Sequence, residues 1–115
     1  MKTLKFEHVE FETIVEQDDI PVRGNVMASG DDAFDKECED EILARLDRGE
    51  IEAWCHIGVI ARWHGFEGRA GLGANSLGSL SEVEQAAEDH GLRAEALEAL
   101  NAQLRDLQRA LAEIE

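Results

Sequence analysis

The sequence predicts an α+β fold: a small antiparallel sheet, one helix packed on it, and a C-terminal helical hairpin. Three patterns predict this class. Apolar residues alternate along two stretches of the first half, recur every fourth residue over about 31–48, and recur every three or four residues within about 81–114. At 115 residues the chain has the length of one domain. We divide it into an acidic α+β part at 1–79 and a helical hairpin at 80–115.

Alternation predicts two strands. Residues 3–15 change parity at Glu7–His8, which predicts a bulge or a tight turn there. Residues 51–63 are apolar at every odd position, whereas the even positions form a mixed face that includes Trp54. A short strand is possible near 25–28. The five glycines within 64–79 are typical of a loop.

The helix over about 31–48 has a start and a stop signal. Ser29 or Asp31 is expected to cap it, and Gly49 is expected to end it. Leu43 lies beside a stripe with four-residue spacing that we expect to face the core. The stripe consists of Phe34, Cys38, Ile42 and Leu46.

The C-terminal third reads as two helices separated by Gly91. Ser81 and Glu84 have the spacing of a capping box, and a longer helix is expected over about 92–114. Its apolar residues form a heptad stripe with small or neutral flanks. These residues are Leu97, Leu100, Leu104, Leu107, Leu111 and Ile114. The stripe favours packing against the chain's own domain or a homodimer through this helix, and both alternatives stay open.

The charge of the chain is concentrated in one region. Of the net −15, −12 lies between Glu7 and Glu52, where sixteen acids stand against four bases. Because this region keeps its apolar periodicity, we expect a folded acidic surface and not a disordered tail. Such a surface attracts basic partners and repels nucleic acid, although it also serves solubility alone.

Motifs for catalysis, metals and cofactors do not stand out, so we expect neither an enzyme nor a bound cofactor. His56 and His64 are too far apart on one strand for a shared ion, at roughly 27 Å for about 3.3 Å per residue. Cys38 and Cys55 lie on apolar faces and are expected in the core. The glycines near Gly71 lack a complete dinucleotide fingerprint. A small enzyme or metal protein is the weakest alternative.

The chain is expected in the cytoplasm of the cell that contains it. Its first residues alternate polar and apolar side chains without a signal-peptide core, and no apolar run reaches the length of a membrane span. Two cysteines suit a reducing compartment and do not suggest a disulfide framework. Neither a membrane nor a nucleic acid is therefore an expected direct partner.

The acidic helix supplies the candidate partner-binding residues. Its carboxylates recur at about one helical turn, or about 5.4 Å, so that the row resembles the phosphates of DNA and could occupy a DNA-binding groove on another protein. The candidates are Asp31, Asp32, Asp35, Glu39 and Asp40. Trp54, on the mixed face of its strand, is a candidate interface anchor. The alternative is that the C-terminal helix covers Trp54.

Several short motifs resemble a group of small phage and prophage proteins that have no general assigned activity. They are Asp18–Asn25 with Ala28–Asp32, Arg45–Glu50 leading to Ala53–Trp54, and Ala61–Gly68. The resemblance covers about residues 4–73. It implies a stoichiometric inhibitor of a host defence system, most specifically an anti-CRISPR protein that binds the basic surface of a Cas subunit. The alternative is a dimeric phage structural or assembly protein that uses the leucine-rich helix.

Overall fold

A computed structural model of the protein describes residues 3–114 and confirms the α+β class. Three strands form one antiparallel sheet in the order β1-β2-β3. The strands and helices are β1 (Glu10–Gln17), α1 (Asp32–Asp47), β2 (Cys55–Trp63), β3 (Phe66–Asn75), α2 (Val83–Asp89) and α3 (Leu92–Ala112).

The chain divides into two compact units, each made of separated segments. The first unit contains the N-terminal segment through Ile14, Gly58–Gly71 and the segment from Ala86 onwards. The second unit contains Val15–Ile57 and Leu72–Gln85. Most of the acidic region, including all of α1, therefore belongs to the second unit, and all of α3 belongs to the first.

In the second unit, α1 begins and ends as the sequence predicts. Asp31 is the cap, because its Oδ1 accepts a hydrogen bond of 3.1 Å from the Phe34 amide. Gly49 follows the helix with a φ of +84°, a left-handed conformation that glycine adopts without strain. The helix packs through its apolar side on a core that lies close to it in the sequence. That core contains Val22, Ile42, Ala53 and Trp54, with Val26, Leu43 and Leu46 partly buried against it.

The predicted strand over 51–63 is shorter than expected. Ile51–Ala53 form a 3-10 turn, and β2 begins at Cys55. From Cys55 onward the predicted alternation is confirmed for Cys55, Ile57, Val59 and Ala61, which are buried. It fails at Ile60, an even position that is also buried, and at Trp63, an odd position that is only half-buried.

The N-terminal strand also begins later than predicted. Phe6–His8 form a 3-10 turn at the point where the parity changes, and β1 starts only at Glu10. The strand suggested near 25–28 is wrong. The Val22 carbonyl accepts a hydrogen bond from the Asn25 amide, so the chain turns there.

The glycine-rich stretch contains β3, so the predicted loop over 64–79 is wrong for most of its length. His64 and Gly65 have φ values of +46° and +83°, which make a two-residue type I′ turn between β2 and β3. Gly68 lies where β3 approaches the backbone of α3. A Cβ there would overlap the Ala96 carbonyl oxygen and lie 2.7 Å from the Leu100 Cβ. Here glycine permits close packing and does not mark a loop.

The helical hairpin is confirmed, with Gly91 in the left-handed conformation between α2 and α3. The capping box lies two residues earlier than predicted, at Ser79 and Glu82. In the first unit, α3 also fixes the N-terminal segment. The Asn101 amide group accepts from the Leu4 N–H at 2.9 Å and donates to the Leu4 carbonyl at 3.0 Å.

The contact at Gly68 predicts a large effect for a small substitution. Gly68→Ala should lower the free energy of unfolding by about 3 kcal/mol, because β3 and α3 must separate to admit the methyl group. Urea denaturation followed by circular dichroism measures this loss. Gly78→Ala is the matched control, since the nearest atoms to its Cβ are the Glu82 carboxylate oxygens at 3.3 Å, which can move. Equal stability of the two variants would contradict the close-packing role.

Candidate protein-binding surfaces

Two of the predicted partner-binding carboxylates fix the start of α1. Asp31 caps the helix through the Phe34 amide. The Asp35 carboxylate accepts from the Ser29 hydroxyl at 2.7 Å and from the Ser29 amide at 3.2 and 3.3 Å. Both side chains therefore have an internal role, while Asp32 is exposed in the first turn.

Glu39 does not point outward as predicted. It is 9 % exposed and accepts hydrogen bonds from the Gly24 amide at 2.7 Å and from Arg23 at 3.1 Å. The same guanidinium also pairs with Asp40, which remains exposed. The Gly24 amide, and after it the Arg23 guanidinium, lower the pKa of Glu39 below its ordinary value of 4.5. Glu39 thus holds the loop at 23–24 against α1.

The exposed face of α1 is turned by about one residue, roughly 100°, from the predicted one. Glu39 turns inward to reach the Gly24 amide, and Phe34, predicted for the core face, is 46 % exposed. We call the resulting surface the acidic face of α1. Its exposed residues are the acids Glu37, Asp40, Glu41 and Asp47, with Lys36, Ala33 and Ala44 between them. Glu37, Glu41 and Asp47 were not among the predicted candidates, although the four-residue step from Glu37 to Glu41 is visible in the sequence.

Trp54 is not an exposed anchor. It is 2 % exposed, and its indole Nε1 donates a hydrogen bond of 2.8 Å to the Ile20 carbonyl. Within the second unit it belongs to the core with Val22 and Ile42, so it is buried by the loop before α1 and by α1 itself. The prediction failed because Trp54 follows a 3-10 turn and lies outside the strand whose alternation assigned it to an exposed face.

Other charges of the acidic region also serve the fold of the second unit. Asp18 accepts hydrogen bonds from the Ile20 amide at 2.9 Å and the Ala74 amide at 2.7 Å, and these amides lower its pKa. Arg45 pairs with Glu50 at 3.1 Å and donates to the Leu77 carbonyl at 2.7 Å. Arg23 pairs with Glu39 and Asp40, and Arg45 and Arg48 pair with Glu50. These arginines therefore neutralise part of the region's own negative charge, including that of Asp40.

The leucine stripe of α3 divides into two halves in the first unit. Leu97 and Leu100 are buried, whereas Leu107 is 39 % exposed and Leu111 is 56 % exposed. The exposed half borders a cavity of about 530 Å³, which we call the apolar groove. It is lined by Thr3, Leu4, His8, Trp63, Phe66, Leu104, Leu107, Gln108 and Leu111. The rings of Trp63 and Phe66 stack with centroids 6.3 Å apart. The sequence alternation predicted neither ring as part of a surface site.

Metal ligands, cysteines and membrane-spanning helices are the other candidate features for the described part of the chain. Within residues 3–114, no three His, Cys, Asp or Glu side chains are arranged to hold a metal ion. Cys55 is buried, as predicted, and this burial raises the pKa of its thiol, whereas Cys38 is only half-buried. Across the same described range, none of the helices combines the length and apolar character that crossing a membrane requires.

Comparison of the chain with protein-family models, with characterised proteins and with solved structures finds no match.

The contacts of Glu39 predict an acid-dependent loss of stability. Because its pKa in the folded protein lies below its ordinary value of 4.5, the carboxylate stabilises the fold fully above that value. The stabilisation is lost as the pH falls through the folded-state pKa. Glu39→Gln should therefore be less stable than the native chain at pH 7, and the gap should close between about pH 5 and pH 3.

Denaturation in urea at each pH measures this gap. Glu41→Gln is the control, since Glu41 is exposed on the same helix. A gap that persists unchanged at pH 3, or one that is as large for Glu41→Gln, would show that the charge of Glu39 does not hold the loop.

Proposed function

We propose that this chain is a phage-encoded, non-enzymatic inhibitor of a host defence system, most specifically an anti-CRISPR protein. It binds a basic surface of a Cas protein through the acidic face of α1. The observation that carries the proposal is the exposed set of four acids on that face, against Lys36, Arg23, which pairs with Asp40, and, beyond the helix end, Arg48.

The placement of these acids favours binding over solubility alone. Glu37 and Glu41 are four residues apart, so their charges repel one another along the helix. Such a pair costs an isolated helix about 0.2–0.5 kcal/mol. A basic partner relieves this repulsion, which adds to the attraction between the two surfaces. Scattered acids would confer solubility without this cost.

The rigidity of the helix supports the same function. Asp31 caps its start, and Glu39 ties its middle to the loop at Gly24. The backbone that carries the exposed carboxylates is therefore positioned before a partner arrives, and binding loses less backbone freedom. A surface that binds DNA through spaced lysines and arginines meets on α1 a row of negative charges in the place of phosphates. Binding of this kind blocks the nucleic-acid site without any chemical step.

Reversing the acidic face tests this function. We expect the native protein to restore plaque formation in hosts with an active CRISPR–Cas system, and Glu37→Lys/Glu41→Lys to lose this protection. Affinity for the captured Cas protein should fall about 100-fold in the variant, and native binding should weaken steeply as the salt concentration rises.

Glu95→Lys/Glu113→Lys is the matched control, because it changes the net charge equally on exposed positions of α3 and its C-terminal end. It should protect the phage as the native chain does. Absence of protection by the native protein in every CRISPR–Cas system tested, or equal failure of both variants, would overturn the proposal.

A further inference from the structure

The apolar stripe of α3 is packed over only half of its length. Leu107 is 39 % and Leu111 56 % exposed, and both line the apolar groove. Ile114, just after the helix, is 71 % exposed. Single exposed apolar residues are ordinary on a protein surface, but a contiguous set beside an aromatic wall marks an interaction site. We propose that the apolar groove binds α3 of a second copy of this chain, forming an antiparallel two-fold dimer.

The shape of the patch suits a second copy. In a two-fold interface the same patch is present on both partners, so it must offer both a projecting and a receiving surface. Here Leu107 and Leu111 project from α3, while Trp63 and Phe66 form a wall beside them. The groove has a volume of about 530 Å³, and the release of water from its apolar walls favours association.

The groove is an uncharged patch on a strongly acidic chain, which disfavours a partner held by charge and permits the close approach of a second copy. The chain carries a net charge of −15, so two copies repel wherever their acidic surfaces approach. The residues that line the groove, within the part of the chain that the structure describes, include no Asp, Glu, Lys or Arg. On α3 beyond Gln103, Arg105 and Arg109 stand against Asp106, and Glu113 and Glu115 follow the helix in the sequence. Two copies can meet at this neutral patch, and a charged partner gains nothing from it.

The helix orientation and the interface strength follow from the same features. An antiparallel pair brings the negative C-terminal end of each α3 away from that of its partner. The residues that flank the exposed stripe are Gln103, Gln108 and Ala110, so charge pairs across the interface do not add to it. Because the exposed stripe is shorter than two heptads, we expect a dissociation constant on the order of micromolar.

Sedimentation velocity of the purified chain from about 1 to about 200 µM tests this dimer. The mass should rise from 12.7 kDa toward twice that value. Leu107→Glu/Leu111→Glu should remain a monomer, with a dissociation constant raised at least about 100-fold, because each carboxylate would be buried without a partner. Both leucines are exposed in the single chain, so the helix content by circular dichroism should be unchanged.

Arg109→Gln/Ala112→Glu is the matched control, since it makes the same change of −2 in net charge at exposed positions away from the stripe. It should dimerise as the native chain does. Half-buried Trp63 gives a second measurement, because its fluorescence should shift to shorter wavelengths with concentration in the native chain and not in Leu107→Glu/Leu111→Glu. If that variant loses helix content, the milder Leu111→Gln should show the same weakened association.

A native chain that stays monomeric at about 200 µM would overturn the dimer. So would a Leu107→Glu/Leu111→Glu or a folded Leu111→Gln variant that dimerises normally, or a control that also loses the dimer. A monomer that retains a small apolar molecule in native mass spectrometry would assign the groove to that ligand instead. The dimer goes beyond the inhibitor function, and it is measured without a Cas protein, so either proposal can fail while the other holds.

Discussion

The second unit depends on a loop that has no strand or helix of its own, from Asp18 to Asn25. Carboxylates and an indole hold it: Asp18 binds the Ile20 amide, Glu39 binds the Gly24 amide, and Trp54 donates to the Ile20 carbonyl. These bonds bring Val22 into the core beside Trp54. Partly buried polar groups stay favourable only when they are paired, so the bonds of Glu39 and Trp54 and the core require one another. Some carboxylates of the acidic region therefore stabilise the fold of the region itself.

Carboxylates of this region serve both as surface charges and as internal hydrogen-bond acceptors. This explains which parts of the molecule the sequence could predict. The limits of α1 followed from local signals, since a cap at Asp31 and a left-handed Gly49 act within a few residues. The alternation of β2 likewise reports a local period. The face of α1 that is buried could not be predicted so well, because Glu39 is drawn inward by an amide fifteen residues away in the sequence. Apolar periodicity depends only on which residues are apolar, so it carries no information on a hydrogen bond between a carboxylate and a distant amide.

Glycine shows the same limit in β3. Composition alone favours a loop for a segment with so many glycines, yet Gly68 is required by the backbone of α3, about thirty residues further along the chain. The leucine stripe of α3 was predicted correctly as a pattern, with its packing left open between the chain's own domain and a partner. The boundary near Leu104 between the buried and the exposed half of the stripe depends on how far the other segments of the first unit cover α3. The sequence of the helix does not encode that extent. Trp63 and Phe66 line the groove together because the hairpin turn at His64 and Gly65 brings the two rings side by side.

Glu39 also connects the folding of the protein to its colloidal behaviour. The isoelectric point of the chain is about 4.5, so copies cease to repel one another in mildly acidic solution. The pKa of Glu39 lies below 4.5, so its protonation, which weakens its hold on the Gly24 amide and the Arg23 guanidinium, requires a lower pH. On acidification the mutual repulsion of the copies is therefore lost before the contacts of Glu39 weaken. Acidification thus carries this protein toward precipitation, and a neutral buffer of modest ionic strength keeps it dispersed.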